Sequence, residues 1–459
     1  MLELIPATWI RIYTSLEEKE LAVNKTIRGV VASRLCTGCG TCFSICPKSA
    51  ITLKINEREG ICLPKIDERK CTLCGICFYF CPGRSIDFGR LNFEAVANVH
   101  ENNLIGRYLR CYVGYSTNRE IRYNSSSGGL VTQILIYALE RGLINGAIVT
   151  RMKSDKPLEA EPFLATTKEE IFSASKSKYC PVPVNIVLRE VMKHEGRFAV
   201  VGLPCHIKGV RNAEIYNKAL KAKIVLHLGL FCSHTISFLG TKFLLERFNI
   251  DEKSVRQLDY RGMGWPGNLS VLLSDGRRFS VPEPVYWRFF TPYFFTPLRC
   301  MFCYDQTNEN ADLSFGDAWL KDIKKKDKIG SSIIIARNSI GETILKRAEL
   351  AGLIALNKIN FDKIVASQRS ALYFKKYGCK ARLEILKHLG LVKTSQSIKV
   401  RSVNPLSYII ALFEISGALI SQKKSIYKIL KYVPAICIRG WGTFLYWFER
   451  FVFRSFAES

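Results

Sequence analysis

Cysteines at a repeated spacing are the residues with the clearest chemistry in this chain of 459 residues. Two runs, at 36–47 and 71–82, each read Cys-x-x-Cys-x-x-Cys-x-x-x-Cys-Pro. This spacing is typical of two-cluster ferredoxins, in which three thiolates of one run and the last of the other hold one [4Fe–4S] cluster. The expected ligands are Cys36, Cys39, Cys42 and Cys81 for one cluster, and Cys71, Cys74, Cys77 and Cys46 for the other.

A pair of structural zinc sites is the alternative interpretation of the same CxxC pairs. Zinc would take four thiolates from one local run and would not require a trailing Cys-Pro in both copies. Gly38, Gly40 and Gly75 favour clusters, because glycine accepts the backbone angles with which a loop wraps closely around a cubane. The pattern therefore predicts two [4Fe–4S] clusters.

A polar, glycine-rich loop precedes a helical pattern that begins at Leu130. Such a loop exposes several backbone N–H groups and is a ready site for a phosphate. The alternative is a plain helix N-cap by Ser126 or Ser127. The spacing alone leaves both interpretations open for the loop residues, which are Ser126, Ser127, Gly128 and Gly129.

Four further cysteines follow or accompany the strands of an α/β pattern. The buried-type strands Phe198–Gly202 and Ile224–Leu230 run into Cys205 and Cys232, and Cys300 and Cys303 form a CxxC pair. Loops at strand ends are where α/β sheets place their ligands. Four thiolates suit a third cluster, whereas four unrelated buried cysteines are the alternative.

The chain divides by pattern into four parts. A lead-in over 1–32, with a helix over 17–24, precedes an α+β ferredoxin-like two-cluster domain at 33–92, in which 51–55 alternates as a strand. Alternating strands and helices over 100–366 predict an α/β domain, and 367–459 forms a basic helical tail. The string Gly262-x-Gly264-x-x-Gly267 is not a dinucleotide fingerprint, because Trp265-Pro266 interrupts it and no helical run follows.

The net charge of +27 favours an anionic partner, such as nucleic acid, an anionic membrane face or an acidic protein or cofactor. No recognised nucleic-acid module is present, so no nucleic-acid partner is expected. Seventeen cysteines in a long chain, eight of them claimed by clusters that need reduced thiols, indicate the cytoplasm.

The tail carries much of the excess charge. From position 369 to the end there are sixteen Lys and Arg against four Glu and no Asp, interleaved with aromatic residues. No apolar stretch reaches the roughly eighteen uncharged residues of a membrane span. The pattern predicts an amphipathic helix, either at the inner face of a membrane or packed on this protein or a partner. Electron transfer is expected to survive deletion of 403–459, since every expected ligand precedes it.

The combined motifs resemble the family of beta subunits of coenzyme F420-reducing hydrogenases and dehydrogenases. The resemblance covers about 30–365 and rests on the doubled cysteine runs and on five strings in the α/β region. These strings are Ser126-Ser127-Gly128-Gly129-Leu130-Val131-Thr132, Gly202-Leu203-Pro204-Cys205, Gly229-Leu230-Phe231-Cys232, Cys300-x-x-Cys303 and Ala311-Asp312-x-x-x-Gly316-Asp317.

The resemblance implies an FAD-binding α/β domain with its own [4Fe–4S] cluster on Cys205, Cys232, Cys300 and Cys303. The serine–glycine loop, with Thr132, then belongs to the FAD site, and Lys176, Ser177 and Tyr179 resemble a flavin- or substrate-side segment. The expected function is an oxidoreductase that passes electrons between a hydride carrier, with coenzyme F420 as candidate substrate, and one-electron acceptors. The alternatives are a non-catalytic relay subunit docked on a redox partner, and a reductase of an organic substrate in polysaccharide or pigment metabolism.

Overall fold

The computed structural model describes residues 25–85, 99–398 and 403–457, so the expected helix at 17–24 lies outside the described residues. The cysteine-rich unit is small, with one two-stranded antiparallel sheet between its two cysteine runs. Its elements are α1 (Ile27–Ala32), α2 (Thr41–Ile45), β1 (Ile51–Asn56), β2 (Ile61–Ile66), α3 (Ile76–Tyr79) and the 3₁₀ turn Pro82–Arg84. The strand expected at 51–55 is therefore β1.

An eight-stranded mixed sheet forms the second, larger unit. Its strand order is β15-β5-β14-β13-β9-β8-β6-β7, and the central strands β13, β9, β8 and β6 run parallel. Two of the central strands, β8 and β9, are nearly continuous apolar runs, as expected for strands that are buried on both faces. The strands are β5 (Arg110–Ser116), β6 (Gly146–Met152), β7 (Ala160–Ala165), β8 (Phe198–Gly202), β9 (Ile224–Leu230), β13 (Leu313–Asp317), β14 (Ser332–Ala336) and β15 (Ile354–Ile359).

Helices and two small antiparallel sheets surround this sheet. The small sheets consist of β3 (His100–Asn102) with β4 (Gly106–Tyr108), and of β10 (Val255–Asp259), β11 (Asn268–Leu273) and β12 (Arg278–Pro282). The glycine string at 262–267 is the loop between β10 and β11, with a cis Trp265–Pro266 peptide, and no helix follows it. The helices are α4 (Arg119–Tyr123), α5 (Leu130–Glu140), α6 (Lys168–Ser173), α7 (Leu188–Val191), α8 (Pro204–Tyr216), α9 (Lys218–Lys223), α10 (Phe238–Arg247), α11 (Glu283–Tyr286), α12 (Lys321–Lys326) and α13 (Ser339–Leu350), together with 3₁₀ turns at Val184–Val187, Glu252–Ser254, Trp287–Phe289 and Leu298–Phe302.

The C-terminal region is helical, and it packs on the rest of the protein. Arg382 and Glu414 form an ion pair whose side chains are fully buried, and Tyr293 donates a hydrogen bond to Glu449 at 2.7 Å. No helix among the described residues is long and apolar enough to cross a membrane. The elements are α14 (Phe361–Ser367), α15 (Arg369–Leu372), a π-helix (Tyr373–Tyr377), α16 (Gly378–His388), α17 (Pro405–Ser421), α18 (Lys424–Leu430) and α19 (Ala435–Ala457).

Candidate functional site

The thiols of the first expected cluster lie close enough to influence one another. Burial raises the pKa of the Cys42 thiol well above its usual value, and neighbouring thiols raise it further. Two of these neighbours are Cys36 and Cys39 of the same run, and Cys81 arrives from the other run. The fold thus brings together the four cysteines that the doubled spacing predicts for one cluster.

The second group contains three cysteines of the second run together with the last cysteine of the first run. Burial raises the pKa of Cys77 to about 11, and Cys46, Cys74 and Cys71 add to the rise. Cys74 is exposed to solvent, whereas Cys77 is buried. Cys77 also raises the pKa of Cys42, so the two groups are neighbours.

Backbone geometry around both groups suits cluster binding. Gly38, Gly40 and Gly75 all have positive φ, at 69°, 87° and 74°, which only glycine adopts readily. The Cys46 sulfur accepts a backbone hydrogen bond from Ala50 at 3.3 Å, a type of contact that tunes cluster thiolates. In the described ranges, no three His, Cys, Asp or Glu side chains converge closely enough to hold a single metal ion. Four thiols in each group, drawn from two loops whose glycines have positive φ, form a donor set that fits a cluster.

A third thiol group forms at the carboxyl edge of the central strands. Cys205 begins α8 just after β8, and Cys232 follows β9. Burial raises the pKa of Cys205 well above its usual value, with further increases from the other thiols. These thiols are Cys39, Cys232, Cys303 and Cys300. The four predicted cysteines therefore meet, and Cys39 connects them to the first group.

Lys375 was not predicted, yet it lies against the third group. The π-helix buries its side chain, which is 1% exposed, and its ammonium interacts with Cys303, Cys232 and Cys300. Burial raises the pKa of Cys232 to about 12, and Lys375 opposes that increase. A buried cation beside three of the four thiolates would partly compensate their negative charge. In the sequence Lys375 is one of many tail lysines, and nothing distinguishes it.

A cavity of about 1560 Å³ adjoins the third group, and all four of its cysteines line it. Seven of the eight residues predicted for the flavin site also line this cavity: Ser126, Ser127, Gly129, Thr132, Lys176, Ser177 and Tyr179. Hydrogen bonds tie the two segments together, because Ser126 Oγ accepts from the Ser177 N–H at 2.8 Å and the Ser177 hydroxyl at 3.0 Å. Lys176 Nζ is held by Asp259 at 2.9 Å.

The N-terminus of α5 faces the cavity without a side-chain cap. Gly129 occupies the N-cap position with φ 73°, and no side chain in the described part of the chain caps the first turn, so the alternative of an N-cap by Ser126 or Ser127 is wrong. Ser127 Oγ is instead 2.8 Å from Ser332 Oγ. Leu130 and Val131 line the cavity, so the first turn of an eleven-residue helix borders it. Free N–H groups and the positive helix end suit a phosphate there.

Gly128 does not line the cavity, in contrast to the sequence-based expectation. Its N–H donates to Ser332 Oγ at 2.9 Å, and a Cβ at this position would lie 2.6 Å from the Gly114 carbonyl oxygen. The glycine is therefore required for close packing of the loop on β5 and β14. The Gly128 N–H is thus used in a contact within the protein.

Replacement of Gly128 by alanine should consequently lower the stability of the protein and not selectively release a cofactor. Overpacking of a tight core site costs about 1–3 kcal/mol. We expect the midpoint of urea unfolding to fall for Gly128→Ala and to stay level or rise slightly for Gly440→Ala, which lies within α19 and where a Cβ would meet no described atom within 4 Å. An unchanged midpoint in Gly128→Ala would contradict this assignment.

Arg261 connects three segments of the cavity wall, and nothing in the sequence indicated this role. It is 2% exposed, and it donates to the Tyr179 hydroxyl at 2.9 Å, to Asp317 Oδ2 at 3.2 Å and to the Ser126 carbonyl at 2.6 Å. Asp317 ends β13 and belongs to a motif noted in the sequence, whereas Arg261 follows β10 with no recognisable signal. Asp312 of the same motif is buried under the sheet with Arg211, so its contacts are structural.

The C-terminal helix supplies another wall of the cavity. Gly442, Tyr446, Glu449 and Arg450 of α19 line it, as do Tyr293 and Trp287. His234 lies among the rings of Trp287, Tyr293 and Phe374 at centroid distances of 6.2, 5.4 and 5.9 Å. The tail therefore borders the cavity, which argues against the expectation that electron transfer survives deletion of 403–459.

Comparisons with known proteins agree with this arrangement. The family described as "Coenzyme F420 hydrogenase/dehydrogenase, beta subunit" matches at 111–189 through its N-terminal part and at 195–361 through its C-terminal part, together more than half of the chain. A 4Fe-4S dicluster domain matches at 35–84. The region after 361 lies beyond these matches.

Among curated proteins, the coenzyme F420 hydrogenase subunit beta of Methanosarcina barkeri is 27% identical over 61% of this chain and 96% of its own length. One of the subunits of the F420H2 dehydrogenase of Methanosarcina mazei is 27% identical over 69% of this chain and 83% of its own length. The coenzyme F420-dependent sulfite reductase of Methanocaldococcus jannaschii is 28% identical over 72% of this chain and 48% of its own length.

A chain of the F420-reducing [NiFe] hydrogenase complex of Methanosarcina barkeri has a similar fold. The TM-score is 0.52 at 24% identity, and the match covers 66% of this chain and all of the other. This likeness concerns the fold of the α/β unit. The family matches and the dicluster-domain match show that the protein belongs to the family of coenzyme F420 hydrogenase/dehydrogenase beta subunits, as an oxidoreductase that carries a 4Fe-4S dicluster domain.

Proposed function

We propose that the protein is an iron–sulfur flavoprotein that passes electrons between a hydride carrier of the coenzyme F420 type and one-electron acceptors. The observation that carries this proposal is the serial order of the three thiol groups. The third group lines the cavity, Cys39 of the first group adjoins Cys205, and Cys77 of the second group adjoins Cys42. The series ends at Cys74, which is exposed.

FAD is the cofactor proposed for the cavity, since a flavin accepts a hydride and releases electrons singly. The N–H groups at the start of α5 would face its pyrophosphate, and Arg261 would hold the Ser126 and Tyr179 segments in place around it. The twelve cysteines of the three groups would hold three [4Fe–4S] clusters. Lys375 would place a fixed positive charge beside the cluster nearest to the flavin.

The proposed partner is a redox protein or a hydrogenase or dehydrogenase subunit that exchanges electrons at Cys74. The position of Cys74 at the surface supports this, because its cluster would be the one nearest to a docked protein. We further propose that the protein works at the cytoplasmic face of a membrane, and the C-terminal helices would provide that contact. A reductase of an organic substrate remains the second candidate function, because α19, beyond the family matches, helps to form the cavity wall.

Anaerobic reduction tests the proposal directly. We expect the purified protein to release about one FAD per chain on acid treatment, and to lose its flavin absorbance when mixed with reduced coenzyme F420. NADH serves as the control donor and should leave the flavin oxidised. Clusters without flavin would support the relay alternative, and a flavin that reduced F420 leaves oxidised would favour the reductase of an organic substrate.

A further inference from the structure

The C-terminal helices carry an unusual share of the exposed apolar surface. Ten of the twenty large hydrophobic side chains that are exposed in the described part of the chain lie on or between α17, α18 and α19. Exposed apolar patches of this kind mark interaction sites in soluble proteins. The ten are Ile409, Leu412, Ile420, Ile429, Tyr432, Ile436, Phe444, Tyr446, Trp447 and Phe451.

On the same helices, the described acidic side chains are buried, whereas the basic side chains reach the surface. The acidic residues described in this segment, Glu414 and Glu449, are 0% and 4% exposed. The described basic residues all reach the surface at least in part: Lys423 and Lys428 are exposed, and Lys431, Arg439 and Arg450 are half-buried. The outer face of these helices is therefore apolar and positive, with every described carboxylate turned inward.

We propose that this face, formed by α17–α19 and here called the tail face, binds the surface of an anionic bilayer. Tyr and Trp side chains favour the level of the lipid headgroups, and each nearby Lys or Arg is attracted to anionic lipid. Arg450 lies over the rings of Tyr446 and Trp447 at 5.4 and 5.6 Å, so its charge accompanies the aromatic surface. Amphipathic helices that carry Lys and Arg beside Trp, Phe and Leu are typical of the membrane interface.

The arrangement brings the cavity to the membrane. The inner face of α19 lies close against the protein, since a Cβ on Gly442 would be 2.0 Å from Thr291 Oγ1. Tyr446 lines the cavity and is also 41% exposed beside Trp447, so the cavity wall and the tail face meet at this residue. The tail face thus holds one rim of the cavity at the lipid surface. This inference deepens the membrane contact of the proposed function, on which it rests, and it does not depend on the cofactor assignment.

Vesicle flotation of the full chain tests the proposal. We expect the protein to float with vesicles of phosphatidylglycerol and phosphatidylcholine at low salt, and to float much less with phosphatidylcholine alone or at high salt. The double variant Trp447→Ser/Phe451→Ser, at positions 61% and 63% exposed, should lose most of the binding. Lys423→Gln/Lys428→Gln should weaken binding to anionic vesicles by up to about fivefold per lysine.

The matched control is Ile340→Ser/Leu350→Ser on α13, which removes two exposed apolar side chains elsewhere and should bind as the unaltered protein does. Equal flotation of the Trp447/Phe451 variant, or no flotation of the unaltered chain with anionic vesicles, would overturn the proposal. So would a dimer in size exclusion that the variant abolishes without any vesicle binding, since the face would then serve a second copy. Quenching of tryptophan fluorescence by brominated lipids provides a variant-free measurement, and its absence would count equally against the tail face.

Discussion

Iron analysis of anaerobically purified protein should give about twelve iron atoms per chain, four for each of three cubanes. The first two groups alone would account for about eight. The remaining four depend on Cys205, Cys232, Cys300 and Cys303, which come from separate parts of the chain and meet at the cavity. Loss of one thiolate from a cluster with four ligands should destabilise the whole cubane.

Cys303→Ser is the sharpest variant, because this thiol is buried and interacts with both Cys205 and Lys375. We expect its iron content to fall to about eight, with the spectra of the other two clusters retained. The matched control is Cys111→Ser in β5, a buried cysteine outside all three groups, which should keep about twelve. About eight iron atoms in the unaltered protein would indicate that the four cysteines are ordinary buried residues and hold no cluster.

Short-range patterns account for what the sequence predicted well. The expected pairing of Cys81 with the first run, and of Cys46 with the second, follows from the spacing within two adjacent loops, and the fold brings the same thiols together. The strands before Cys205 and Cys232 are apolar runs, which are expected to be buried. The sequence therefore also indicates where each of these strands ends. In parallel strands those ends necessarily share one edge of the sheet.

Long-range packing explains what the sequence did not reveal. Arg261 meets Tyr179, Ser126 and Asp317 only because three distant segments converge on it. The need for glycine at 128 arises from a carbonyl of β5, which the loop's own sequence does not indicate. Composition likewise gives the net charge of the tail but does not say which of its charged side chains face inward. The burial of Glu414 and Glu449 could therefore not be predicted.

Removal of the tail should damage the protein's core, in contrast to the expectation from sequence alone. Glu414 of α17 pairs with Arg382, and both side chains are 0% exposed. The same guanidinium donates to the carbonyl oxygens of Met301 and Phe374, and Met301 lies between the two cysteines of the CxxC pair. Deletion of 403–459 would leave this cation buried without its carboxylate beside the third thiol group.

Glu414→Gln isolates this contact without removing a helix. Removing one partner of a buried ion pair lowers the free energy of unfolding by about 3–5 kcal/mol, because the remaining charge stays desolvated. We therefore expect a clear drop in the midpoint of urea unfolding of the anaerobic protein, together with partial loss of the third set of iron atoms. Glu349→Gln is the control, since that carboxylate pairs with Lys346 at 2.9 Å on the surface of α13, away from the tail, and an exposed pair is worth at most about 1 kcal/mol. If Glu414→Gln behaved like Glu349→Gln, or if the truncated chain kept full stability and all its iron, the tail would be an appendage and its contact with Arg382 incidental.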